Sequence, residues 1–252
     1  MTGGHSDKAC QDTRVSLREL YTRLAEEPDA DFGWARGKEN AHALGYAKEW
    51  LEHLPDTVWE SAAAVGNPFS LGPLHAGETI IDVGCGAGAD ACVAAMLVGA
   101  EGSVHGIDCT PAMVEKARRN AAISGLTNVT IHAAEMTALP LPDACADVVI
   151  SNGAINLAQD KAAVIDEIFR VLRPNGRLQI ADMVRTSPVD SAACNSSNEE
   201  SWANCVTGTL EPDTFLSLLT AAGFIDAALA GYTGYKTAAG TIGALIKARK
   251  PA

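Results

Sequence analysis

From Thr79 onward, short apolar runs alternate with stretches of helical length, and this alternation limits the fold more than any other feature of the chain. The runs are Thr79–Val83, Ser103–Ile107, Val129–His132, Asp147–Ile150 and Arg177–Ala181, and the helix-length stretches among them are Ala89–Val98, Pro111–Ser124 and Lys161–Leu172. A short apolar strand, a helix and a second such strand form a βαβ unit, whose crossover makes the two strands parallel. Two further runs, Phe224–Ala230 and Thr241–Ala248, enclose Tyr232-Thr233-Gly234-Tyr235 and read as an antiparallel pair. The expected fold class is α/β, with a doubly wound, mostly parallel sheet of seven strands. The 252 residues suffice for one such domain with an appended segment. That segment is the first third, where Val15–Ala25, Glu39–Leu51 and Asp56–Val65 read as helices and Gly66-Asn67-Pro68 stops the last. The expected division is a helical cap over 1–70 and an α/β domain over 71–252, with 186–223 inserted on its substrate side.

The first strand runs into Ile80-Ile81-Asp82-Val83-Gly84-Cys85-Gly86-Ala87-Gly88-Ala89-Asp90, a glycine-rich turn that opens a helix. Glycines let the backbone turn sharply and let a ligand approach where a Cβ would stand. Asp108 ends the next strand, twenty residues beyond Gly88, where a carboxylate accepts ribose hydroxyls. A nucleoside ligand is implied, and Gly84, Gly86 and Ala89 also satisfy the dinucleotide pattern, which leaves a nicotinamide enzyme as one reading. Asp82 favours S-adenosylmethionine (SAM) instead: a carboxylate just before the loop holds an ammonium group, suits a sulfonium cation and repels a pyrophosphate. The chain also lacks a substantial second domain for a hydride acceptor. The expected cofactor contacts around the loop are Asp82, Gly84, Cys85, Gly86, Gly88 and Asp90. Asp108, Cys109 and Met113 follow the second strand, and Ala134, Glu135 and Met136 follow the third, flanking an adenine. Close helix packing at Gly88, a first-turn dipole contact at Asp90 and core packing at Met113 and Met136 are the alternatives.

Composition narrows the partners. The formal net charge of -12 repels phosphate backbones, and the densest basic cluster is only Lys116, Arg118 and Arg119, so nucleic acid is not an expected partner. No apolar run reaches bilayer length, and Met1–Arg14 lacks an apolar signal core, so a cytoplasmic location with no membrane partner is expected. The seven cysteines contain no CxxC pair, which suits a reducing compartment and suggests no metal site.

Two later segments, Asp143–Ile150 and Val171–Leu178 with its Asn175-Gly176 turn, resemble the later motifs of class I SAM-dependent methyltransferases, which implies their Rossmann-like domain. Within that class, about Gly66 to Phe224 resembles the arsenite methyltransferases. The matching segments are Gly66-Asn67-Pro68, the glycine loop, Ile107–Met113, Ser151-Asn152-Gly153-Ala154-Ile155-Asn156-Leu157, Ile180–Val184 and Cys205-Val206-Thr207-Gly208. The resemblance implies a SAM-dependent enzyme acting on a small-molecule acceptor, with Asn152 and Cys205 near the reacting atoms. It also implies that Asn152 touches the cofactor and that Gly153, Asn156 and Cys205 line the acceptor pocket. The family holds trivalent arsenic with cysteine thiolates, two of which correspond to Gly153 and Val65 here. One thiolate cannot build a stable cage for soft arsenic, so a small thiol or sulfide is the favoured acceptor. Arsenite, an O- or N-nucleophile, and SAM sensing without catalysis are the alternatives. Cys85, Cys92 and Cys109 could also stand in for the missing thiolates. Gly153 is expected to leave room beside the methyl group, and Phe32, Trp34, Tyr46 and Trp59 of the cap are candidates to wall the pocket.

Overall fold

A computed structural model describes residues 4–186 and 208–252, with side chains from residue 15 onward. The strands are β1 (Thr79–Val83), β2 (Ser103–Asp108), β3 (Val129–Ala133), β4 (Ala146–Asn152), β5 (Leu172–Arg185), β6 (Ile225–Tyr232) and β7 (Thr241–Arg249). They form one seven-stranded sheet in the order β3-β2-β1-β4-β5-β7-β6. The pairs from β3 through β5 are parallel, while β7 runs antiparallel to both β5 and β6. The order reverses between β1 and β4, and in such sheets the crevice at the carboxyl ends of the strands at that point receives the ligand.

The helices are α1 (Gly4–Glu26), α2 (Gly37–Ala43), α3 (Lys48–His53), α4 (Asp56–Trp59), α5 (Ala89–Val98), α6 (Pro111–Ile123), α7 (Lys161–Val171) and α8 (Pro212–Ala221). Strand alternation divides the core between the two faces of the sheet. Ile81, Val83 and Val149 pack with Ile165 and Ile168 of α7 and Phe215 and Leu219 of α8. Ile80, Val104 and Val148 pack on the opposite face with α5 and with Leu51, Val58 and Trp59 of the N-terminal helices. Both faces are covered at the middle of the sheet, so β1 and β4 are mostly apolar and buried. The apolar helix α5 is buried on nearly every side.

Three expectations change. The helix expected over Glu39–Leu51 is two, α2 and α3, because the chain breaks at Leu44-Gly45 and turns Tyr46 inward to 3% exposure. The helix expected over Asp56–Val65 stops at Trp59, after which the chain takes long-range partners. Ala62 accepts from the Gly37 N–H at 2.8 Å, and the Val65 N–H donates to Asn152 Oδ1 at 3.0 Å. Leu172 begins β5 instead of ending α7, with Ala146 opposite Leu172 and Val148 opposite Arg177, so the Asn175-Gly176 turn is a bulge within the strand pair. The expected insertion at 186–223 lies in large part outside the described residues. Among those described, no helix is long and apolar enough to cross a membrane.

Candidate functional site

A cavity opens at the carboxyl ends of β1 and β4, floored by the glycine loop and walled by the N-terminal helices. Asp82, next to last in β1, is 1% exposed, and its Oδ2 has no hydrogen-bond partner. Burial, then the charges of Asp90 and Asp108, raise its carboxyl well above the usual range, opposed by a hydrogen bond from the Ala91 backbone. An unpartnered buried carboxylate oxygen of this kind suits a cationic ligand group. Asp108 closes β2, with Oδ2 accepting from the Gly86 N–H at 2.9 Å and Oδ1 from the Thr110 N–H at 2.8 Å. The Thr110 side chain and the Cys109 backbone also bond this carboxylate, lowering a pKa that burial raises.

The three loop glycines do different work. A Cβ at Gly84 would overlap the Ala154 methyl, and one at Gly88 would come within 3.0 Å of Ala117 on α6, so these two allow close packing. Gly86, at φ +52, faces open space, which makes it the position where a ligand can approach the backbone. Cys85, Cys109, Met113, Glu135 and Met136 also line the cavity. Met113 is at the same time buried core beside Leu24 and Phe32. Ala134 does not line the cavity and packs against the main core instead. Arg18 of α1 reaches Glu135 at 2.6 Å and so ties the first helix to the rim beyond β3.

At the other end of the cavity, Asn152, Asp90 and Tyr46 form one network. Tyr46 Oη donates to Asp90 Oδ1 at 2.6 Å, and Asn152 Nδ2 donates to Asp90 Oδ2 at 2.9 Å, to Tyr46 Oη at 3.0 Å and to the Gly66 carbonyl at 2.9 Å. Because Asn152 Oδ1 also accepts from Val65, both ends of this amide are engaged by protein. Asn152 lines the cavity as well. Burial raises the Asp90 carboxyl, against the lowering effect of its bonds from Tyr46 and Asn152, and burial with the Asp90 charge raises the Tyr46 phenol well above its usual range.

Residues 74–223 match a protein-family model described as a methyltransferase domain. The chain belongs to this methyltransferase family. An arsenite methyltransferase of Halobacterium salinarum is 34% identical over 233 residues, which cover 87% of this chain and 59% of the relative. An arsenite methyltransferase of Aquipseudomonas alcaligenes is 33% identical over 70% of this chain and 53% of its own length. The chain thus spans between half and two thirds of these curated relatives. Among solved structures, an arsenic(III) S-adenosylmethionine methyltransferase from Chlamydomonas reinhardtii superposes with a TM-score of 0.61 at 28% identity, covering 86% of this chain and 74% of that one. The fold is that of the class I enzymes, and the cofactor of this methyltransferase is SAM. The orphaned oxygen of Asp82 and the open face of Gly86 fit its ammonium group and its close approach to the loop.

The methyltransferase departs from the sequence-based picture of the acceptor pocket at several residues. Gly153 lines the cavity, but a Cβ there would lie 3.2 Å from Val65 Cγ1, so the space on that side is tighter than expected. Asn156 does not line the cavity. Its backbone N–H donates to Asp182 Oδ2 at 3.1 Å, and with its amide nitrogen turned inward the side chain donates to Asp182 Oδ1 at 2.8 Å and to the Gly153 carbonyl at 3.1 Å. Asp182, wholly buried beneath, was not anticipated, and burial pushes its carboxyl up to about 7. Trp34 packs on Phe32 at a centroid distance of 5.5 Å and stays off the cavity wall, whereas Tyr46 and Trp59 line it. Leu17, Tyr21 and Ala62–Ala64 line it too, and as ordinary apolar residues they carried no sequence signal. Burial holds the Cys85 thiol well up, Cys92 at about 12 and Cys109 above its usual value, which disfavours thiolates at these positions in the free protein. Cys205 lies outside the described residues.

Proposed function

We propose that this methyltransferase transfers the methyl group of SAM to a small, soft and largely apolar nucleophile, with a thiol or sulfide as the favoured acceptor. Asp82 holds the ammonium group, Asp108 the ribose hydroxyls and Glu135 with Met136 the adenine side. Cys205 belongs with the acceptor in this reading. When bound, SAM supplies an electrophilic methyl group on a sulfonium sulfur. The chain's own contribution is to align a nucleophile and exclude water, and a soft sulfur nucleophile asks little more of it.

One observation carries the choice of acceptor. Gly153 lines the cavity, while Val65 is buried among Ala181, Met183 and Tyr235, 3.2 Å from where a Gly153 Cβ would stand, so the two positions where the arsenite family places cysteines offer no thiolate. A sulfur nucleophile suits a site without those thiolates better than trivalent arsenic, which needs several. Arsenite is the second reading, favoured by the similarity to arsenite methyltransferases over 87% of the chain. In that case the arsenic arrives with thiol ligands of its own. The test is S-adenosylhomocysteine release measured against alkyl thiols, sulfide, arsenite with and without added thiol, selenite and small phenols. Turnover of thiols or sulfide above arsenite supports the first reading. Arsenite turnover that matches the best thiol refutes it.

A further inference from the structure

Asp90 and Tyr46 form a buried carboxylate–phenol pair on the cavity wall, and alignment of reactants gives neither of them a task. The pair is held from three sides. Asn152 Nδ2 donates to both partners, at 2.9 Å to Asp90 Oδ2 and 3.0 Å to Tyr46 Oη, and the Gly66 carbonyl lies 3.3 Å from the phenol. The phenol proton points at Asp90 Oδ1, 2.6 Å away, and with one oxygen lone pair taken by Asn152 the other has no protein donor among the described residues. That leaves one acceptor position on Tyr46, which lines the cavity together with Gly153 and Ala154.

The cavity also disfavours an anionic acceptor. Asp82, Asp90, Asp108, Glu135 and Asp160 line it against the single guanidinium of Arg18. A thiol entering there arrives with its proton, since like charges nearby raise the cost of its anion. The geometry points to Tyr46 and Asp90 as the route by which the acceptor's proton leaves: the acceptor donates to Tyr46 Oη, and Tyr46 donates to Asp90. This inference rests on the reading of the acceptor given above. As the S–H bond breaks, its electron pair stays on the acceptor sulfur and becomes the new S–C bond to the transferred methyl. The proton passes to Tyr46 Oη while the phenol's own proton passes to Asp90 Oδ1, and the donor sulfur retains the pair of the broken bond and leaves as a neutral thioether. Asp90 returns the proton to solvent when products depart. The raised carboxyl of Asp90 agrees with this role, because a base that titrates above the ordinary carboxylate range takes a proton more readily. The other ionisable groups about the pair are Asp82 on β1, with Asp108 and Cys85 facing Asp82 in turn.

The test uses the full chain with Asp90→Asn and Tyr46→Phe and two acceptors, a weakly acidic alkyl thiol and a more acidic thiophenol. A lost proton acceptor should lower kcat for the alkyl thiol by about a hundredfold, the lower range for general base catalysis, and abolish the acidic limb of its pH profile. The thiophenol, partly ionised already, should lose less than about fivefold. SAM affinity by calorimetry should stay within about twofold of the native protein in both variants, since both Asp90 oxygens, expected from the sequence to touch the cofactor, are taken by Tyr46 and Asn152 instead. Equal losses with both thiols, or weakened SAM binding with an unchanged pH profile, would overturn the inference and make Asp90 a cofactor or framework residue. A readout independent of turnover is infrared titration of the cofactor-free protein, in which a carboxyl band should titrate above the usual range, vanish in Asp90→Asn and shift in Tyr46→Phe. If the native protein methylates no thiol, the acceptor reading fails alone, and the relay stands or falls on whether that band is found.

Discussion

Asp82 places a carboxylate oxygen without a partner inside the protein, which costs the free protein stability and, in the proposed reading, receives the ammonium group of SAM. Asp82→Asn should therefore leave the unfolding midpoint of the cofactor-free protein equal or higher while weakening SAM binding, as calorimetry and thermal melts on one preparation would show. A fall in both would make Asp82 a framework residue. Val65 and Gly153 carry the other residue-scale expectation. Cysteine at both positions should confer arsenite binding that the parent lacks, because Val65→Cys removes the branch that a Gly153→Cys side chain would meet at 3.2 Å. Gly153 sits at φ +67, so the double variant should also lose about 1 kcal/mol of stability, read from denaturant midpoints. A double variant that gains no arsenite affinity would contradict the placement of the acceptor.

Elements were legible in the sequence where a short apolar run or a helix-length stretch was bounded by turn residues. The five parallel strands, the terminal antiparallel pair and helices α5, α6 and α7 follow that rule. The cap did not, because its segments make their bonds with distant residues. Tyr46 turns inward to Asp90, Ser61 Oγ donates to the Leu24 carbonyl at 2.8 Å, and Val65 bonds Asn152, pairings that no local pattern encodes. The same reason separates the site residues. Asp82, Gly86 and Asp108 stand at fixed places in a βαβ unit and could be found by spacing. Asn156 and Trp34 shared a segment with pocket residues but point elsewhere, one to Asp182 and the other to Phe32. The connection from β4 to α7 begins its helix on Asp160, whose side chain accepts from the Ala163 N–H at 3.0 Å. Asp160→Ala should cost about 1 kcal/mol in a denaturant melt through loss of that cap. No loss would mean that the packing of Val164, Ile165 and Ile168 alone starts the helix.

At the scale of the whole molecule, burial sets the pH dependence. Asp82, Asp90, Asp108 and Asp182 all have carboxyls raised by burial, Asp182 to about 7. Between the ordinary carboxylate range and these raised values, the folded chain binds more protons than the unfolded chain. Stability therefore falls as pH rises through that window and is greatest on its acidic side. Thermal melts of the cofactor-free protein should show a midpoint that declines from mildly acidic to mildly alkaline pH. Saturating SAM should flatten the decline, because a cation beside Asp82 favours the charged carboxylate and the bound ligand stabilises only the folded state. A midpoint that rises with pH would mean that these carboxylates are ionised and compensated in the free protein. The most direct test of the whole account is calorimetric titration of SAM into the native chain and into Asp82→Ala and Asp108→Ala. The native protein should bind SAM at one site, and each substitution should weaken binding by about one to three kcal/mol, the range of a charge-assisted hydrogen bond, with the fold intact by circular dichroism. Unchanged SAM affinity in both folded variants would contradict the placement of the cofactor at the carboxyl ends of β1 and β2.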